Sequence, residues 1–181
     1  MDQDSRLFRC QFPNQDRVLP DNVREIGEYA FAQSDEEHPW IFTEFRFNKG
    51  LQKIGRNAFC NTSPRTSYRD TDNAYELRLP NSITEIGESS FEGMSGIYSL
   101  FIPGSIKKIP HRAFARWTTA RYLTIDEGVE RIEDEAFYQN GERRSTLYGT
   151  SITGVYNYSL PASVDYVGKN AFAKAMQLQA I

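Results

Sequence analysis

Apolar and polar positions follow two spacings that take turns along the chain. One is strict alternation, as in Leu77-Arg78-Leu79, Leu100-Phe101-Ile102 and Leu123-Thr124-Ile125. Successive side chains of an extended backbone point to opposite faces, so this spacing predicts a short strand with one buried face. Pro follows in four of six cases and cannot extend a ladder, and the Asn, Ser or Gly beyond it suits a turn. The other spacing is wider. Val, Ile or Leu is followed three residues later by Ile or Val, then commonly by Gly, and after two more positions by a small residue and Phe.

Together these form a block of thirteen residues that recurs six times: Leu19–Phe31, Phe47–Phe59, Leu79–Phe91, Ile102–Phe114, Ile125–Phe137 and Leu160–Phe172. The closing Phe residues are 28, 32, 23, 23 and 35 positions apart, so the basic unit is 23 residues and three steps carry insertions of 5, 9 and 12. A single unit cannot bury its own apolar face, whereas stacked units share a continuous core. Stacking predicts a ladder of Phe31, Phe59, Phe91, Phe114, Phe137 and Phe172. The preceding residues, Ala30, Ala58, Ser90, Ala113, Ala136 and Ala171, stay small because neighbouring coils lie about 4.8 Å apart. Gly27, Gly55, Gly87 and Gly168 mark a place that needs either an unusual backbone angle or a close approach. The Phe itself is expected in a helical turn.

The repeated pattern closely resembles the BspA-like, or Treponema-type, leucine-rich repeats, whose motif runs roughly L-x-x-I-x-I-P-x-x-V-x-x-I-G-x-x-A-F. The resemblance extends from Arg17 to Phe172. It implies an α/β architecture: a right-handed, curved solenoid of six coils with a parallel sheet and short helical turns. It also implies a non-enzymatic protein- or glycan-binding module of a bacterial cell-surface or secreted, adhesin-like protein. The chain departs from the pattern in its three insertions, in Pro110 and Glu133 at the Gly position, and in an N-terminus not built like a secretion signal. An intracellular protein–protein interaction scaffold is the competing reading, motivated by that N-terminus and by two cysteines, Cys10 and Cys60, with no evident pairing.

Length and pattern together predict one repeat domain over residues 1–181. Residues 1–16 would form an N-terminal cap region, with Leu7–Phe12 as an extra strand. Residues 173–181 would form a partial seventh strand or a C-terminal cap. Hydrophobic residues make up 39% of the chain, enough for a core, and no apolar run is long enough to span a membrane. A net charge of −3 argues against a general grip on nucleic acid.

Two surfaces are candidates for binding. The insertions, within residues 32–44, 60–76 and 138–157, would emerge at one corner, and loops on a rigid scaffold often carry function. Trp40, Tyr148 and Tyr156 are their aromatic candidates, although such loops can equally tolerate length or zip to one another. The outward strand positions are the second surface: Glu44/Arg46, Glu76/Arg78, Ser99/Phe101, Tyr122/Thr124 and Asn157/Ser159. Arg46, Arg78, Phe101, Tyr122 and Thr124 are its candidates, with an exposed Phe101 beside Tyr122 as the anchor. The plainer alternative is that strand-forming residues simply fill strand positions.

Residues 93–125 contain no carboxylate but hold Lys107, Lys108, Arg112, Arg116 and Arg121, with His111 and Trp117. Read alone this is a basic, aromatic patch for RNA or an acidic glycan. The repeat register points to a charge ladder instead, because the next coil holds six acids within residues 126–135. Aligned by coil, Lys107 meets Glu130, His111 meets Asp134, Arg112 meets Glu135, and Lys108 meets Glu85. No cofactor, metal or catalytic constellation is expected: His38 and His111 stand apart, no phosphate-binding glycine loop can be drawn, and Cys60 reads as a packed thiol.

Overall fold

The computed structural model describes residues 17–32, 41–42, 45–64, 76–97, 99–117, 122–140 and 160–175. Within them the repeats stack as successive coils, numbered here one to six by their closing Phe. The first strand of coils one to five lies where the alternation puts it: β1 (Arg17–Val18), β4 (Phe45–Arg46), β7 (Glu76–Arg78), β9 (Ser99–Ile102) and β11 (Tyr122–Ile125); Asn157 and Ser159, expected in the sixth, lie outside the described residues. All pairings are parallel, β1 with β4 and β7–β9–β11 in one sheet. Leu77, Leu100 and Leu123 are level with one another and buried.

A second row of strands was not foreseen. β2 (Glu25–Ile26), β5 (Lys53–Ile54), β8 (Glu85–Ile86), β10 (Lys108–Ile109), β12 (Arg131–Ile132) and β13 (Tyr166–Val167) contribute two residues each. Two residues are too few to show a period, so only the stacked neighbour reveals them as strands. They form two parallel sheets, β2–β5–β8 and β10–β12–β13. A further pair, β3 (Ile41–Phe42) and β6 (Ser63–Pro64), joins the first insertion to the second, so these two do zip together over that short length.

The core fills the space between the rows. The Phe rings stack face to face at centroid distances of 5.0, 5.2, 5.3, 5.5 and 5.0 Å from Phe31 to Phe172, with interplanar angles of 13° or less. Ala58, Ser90, Ala113, Ala136 and Ala171 are buried beside them. The expected helical turn is replaced by consecutive tight turns, and no helix occurs among the described residues. The cause is backbone handedness. The residue two before each Phe has a positive φ: Tyr29 55°, Asn57 52°, Ser89 51°, Arg112 53°, Glu135 56° and Asn170 57°. A left-handed residue breaks an α-helix at that point. The turn carbonyls are instead used between coils: the Phe31, Phe59, Phe91, Phe114 and Phe137 N–H groups each donate to the small residue of the next coil at 2.7–2.9 Å.

The recurrent Gly of the block is explained by close approach at Gly55, Gly87 and Gly168. A Cβ on Gly55 would lie 2.7 Å from the Glu28 nitrogen, and one on Gly87 would lie 2.4 Å from the Arg56 nitrogen. Gly27, in the first coil, has open space around it. At Gly104 a Cβ would sit 1.7 Å from the Glu127 carbonyl oxygen, so coils four and five touch there through bare backbone.

Side chains near the Pro turn fasten each coil to its neighbour. Asn48 replaces Pro in coil two and donates to the Pro20 and Val23 carbonyls at 2.6 and 3.0 Å. Ser82 donates to Leu51 at 2.6 Å and Ser163 to Val129 at 2.7 Å. The Glu127 carboxylate accepts from the Ala162 and Ser163 N–H groups at 2.9 and 3.2 Å. The Ala162 N–H, and then that of Ser163, hold its carboxyl below the ordinary value of 4.5. A carboxyl depressed by folding stabilises the folded state above its unfolded value, and this contribution is lost as pH falls through the lower folded value. The Ala162 amide resonance is therefore expected to titrate with a midpoint below 4.5, and Glu127→Gln to abolish that titration. A midpoint at or above that value would refute the contact.

Candidate functional site

The outward residues of β7, β9 and β11 form two rows across three coils. Glu76, Ser99 and Tyr122 are level in one, and Arg78, Phe101 and Thr124 in the other. All six point away from the core, because their strand neighbours Leu77, Leu100, Ile102, Leu123 and Ile125 fill it. Tyr122 is 49% exposed, and Arg78, Glu76 and Thr124 are exposed as well. The predicted Arg78, Phe101, Tyr122 and Thr124 thus share one surface. Arg46 is at the equivalent strand position in β4, level with Val18 of β1. Trp40, Tyr148 and Tyr156 lie outside the described residues.

Phe101 differs from expectation. It is half-buried rather than exposed, because the Arg78 guanidinium lies over its ring at 4.1 Å from the centroid. The Arg78 Nε also donates to Glu76 Oε1 at 2.7 Å. One planar cation is thus held at its edge by a carboxylate and on one face by an aromatic ring. Tyr122 is diagonal to Phe101, on the adjacent strand. The result is a patch that sets small hydroxyl side chains around an ordered arginine and an open tyrosine, two of the residue types enriched in interface hot spots.

The tryptophan of the basic stretch in coil four is not part of its surface. Trp117 is fully buried; its indole N–H donates to the Phe91 carbonyl at 2.6 Å and its ring meets Phe114 edge-on at 5.8 Å. Its own backbone N–H donates to Asn140 Oδ1 at 3.0 Å. Neither contact repeats in other coils, so no periodic signal announced them. The charge ladder stands in two places: Lys107 lies 3.5 Å from Glu130, and Arg112 lies 3.7 Å from Glu135. Two pairings are corrected. His111 Nδ1 meets the Asp134 backbone carbonyl at 2.8 Å, while the Asp134 carboxylate accepts from the Lys169 N–H at 2.7 Å. Among the described residues no ion pair joins Lys108 to Glu85; Glu85 pairs with Lys53 at 3.3 Å. These exposed pairs set register more than stability.

Cys60 is a free, half-buried thiol, as a packing role requires, and burial followed by the nearby Glu92 carboxylate raises its pKa. Glu92 itself is buried and clasped by Arg112 at 2.8 Å and Arg116 at 3.6 Å. This three-residue ionic cluster ties coil three to coil four. Among the described residues no group of His, Cys, Asp and Glu could hold a metal ion. No helix among them is long and apolar enough to cross a membrane.

No curated protein and no solved structure shows significant similarity to the chain. The family model for a BspA type leucine rich repeat region of six copies matches residues 4–140 and residues 64–181. Such repeats generally serve as non-enzymatic, protein-binding modules, and in bacteria this family is typically surface-borne or secreted. With the sixfold block, the parallel coil pairing and the Phe ladder in agreement, the chain belongs to the BspA type leucine-rich repeat family.

Proposed function

We propose that this chain is a non-enzymatic binding module of a bacterial cell-surface or secreted, adhesin-like protein, recognising a protein or glycan ligand. The coils form a right-handed, curved solenoid, and the ligand meets the outward face of β7, β9 and β11. The observation that carries this reading is the ordered Arg78 stacked on Phe101 beside the open Tyr122. Such a face offers aromatic and guanidinium contacts whose geometry is already fixed, which lowers the entropy lost on binding. Arg46 and Thr124 extend the face, and Trp40, Tyr148 and Tyr156 supply contacts from the insertions.

Protease shaving of intact source cells, followed by antibody detection of this chain, tests the location. Cleavage from outside is expected, and screening of matrix proteins and glycans would follow. Protection until lysis would overturn the surface assignment in favour of the intracellular scaffold.

A further inference from the structure

The second strand row is continuous except between coils three and four. Elsewhere one carbonyl in each coil accepts two N–H groups from the next: Arg24 from Gln52 and Lys53, Gln52 from Thr84 and Glu85, Lys107 from Glu130 and Arg131, and Glu130 from Asp165 and Tyr166. The equivalent Thr84 carbonyl receives no N–H from Lys107 or Lys108, and β8 and β10 fall in separate sheets. The next rung is missing for a covalent reason. Gly55, Gly87, Glu133 and Gly168 each donate their N–H to the preceding coil's Ile at 2.7–2.9 Å. Pro110 occupies that place in coil four and has no N–H to give Ile86.

A third fastening fails at the same junction. Ser82 and Ser163 reach the preceding coil's carbonyl, but their equivalent, Ser105, has a buried hydroxyl without a hydrogen-bond partner. The Lys108–Glu85 ion pair is absent there too. The opposite sides of the junction are, by contrast, heavily bound. Phe91 stacks on Phe114 at 5.3 Å, and the Ser89, Phe91 and Gly93 N–H groups all donate to coil four at 2.8–3.1 Å. Trp117 bonds back to Phe91, Arg112 to Glu92, and Arg78 covers Phe101.

A stack bound along two edges and unbonded along the third can open only along the third. We infer that the coil three–coil four junction is a built-in hinge, with Pro110 as the residue that keeps its outer seam unlatched. The axis runs through the Phe ladder and the β7–β9 contact, so opening changes the curvature of the face that carries Arg78 and Phe101. The use of that motion rests on the proposed binding face, whereas the hinge itself does not.

Backbone hydrogen exchange on the full chain, without ligand, tests the seam. The Lys107 and Lys108 amides are expected to exchange at least about tenfold faster than their equivalents Glu130 and Arg131. Equal protection of the two pairs in the wild-type chain would overturn the proposal. Spin labels at Arg24→Cys and Asp165→Cys, with Cys10 and Cys60 changed to Ser, read the motion itself. A broad distance distribution is expected, narrowing when Pro110→Gly restores the donor. A single narrow distribution already present without Pro110→Gly would overturn the hinge. Because neither measurement involves a ligand, a failed binding face and a failed hinge are separable.

Discussion

Phe114→Ala is expected to lower stability by about 3–5 kcal/mol, the usual cost of truncating a buried Phe. Phe114 has no exposed surface and stacks between Phe91 at 5.3 Å and Phe137 at 5.5 Å, with Trp117 at its edge. Removing the ring leaves a space whose walls cannot close. The Phe91 and Phe114 N–H groups are bonded to Ala113 and Ala136, so the coil spacing is fixed by main-chain bonds on both sides. Natural domains hold only about 5–15 kcal/mol in total, so this loss is a large fraction of it. Phe172, half-buried and stacked on Phe137, is expected to cost roughly half as much on the same change. Chemical denaturation of the two variants checks this, and an unchanged midpoint for Phe114→Ala would refute a load shared along the ladder.

Much of this architecture was legible because it repeats. The Phe rings and the small residues beside them are read from positions that recur six times, and the inward Leu of the first strand from coils three to five. The outward register was legible for the same reason, and it placed Arg78, Phe101, Tyr122 and Thr124 on one surface. What escaped the sequence has particular causes. The second strand row is two residues long in every coil and has no room for a period. The left-handed position is filled by Tyr29, Asn57, Ser89, Arg112, Glu135 and Asn170, and only Asn is a residue that favours that geometry. Coil stacking imposes it on the other four. Trp117 and Asn140 occur once each, so Trp117 read as part of a surface patch when it belongs to the core. Phe101 looked exposed because its cover, Arg78, comes from another coil, 23 residues earlier.

The second large effect is expected on binding rather than folding. Tyr122 is 49% exposed and level with Ser99, so Tyr122→Ala removes little packing and should change stability by no more than about 0.5 kcal/mol. Arg78→Ala removes the cover from Phe101 and the partner of Glu76, both at the surface. Aromatic and arginine anchors contribute most of the energy of an interface, so the double variant should bind at least about thirtyfold more weakly, roughly 2 kcal/mol.

The most direct measurement is therefore surface plasmon resonance of the wild-type chain and of Arg78→Ala/Tyr122→Ala against purified matrix proteins and glycans, with melting temperatures taken alongside. The prediction is a ligand bound by the wild type and lost, or weakened at least about thirtyfold, in a double variant that melts nearly unchanged. Equal binding by both chains, or no binding by the wild type to any of these ligands, would contradict the β7–β9–β11 face as the recognition surface.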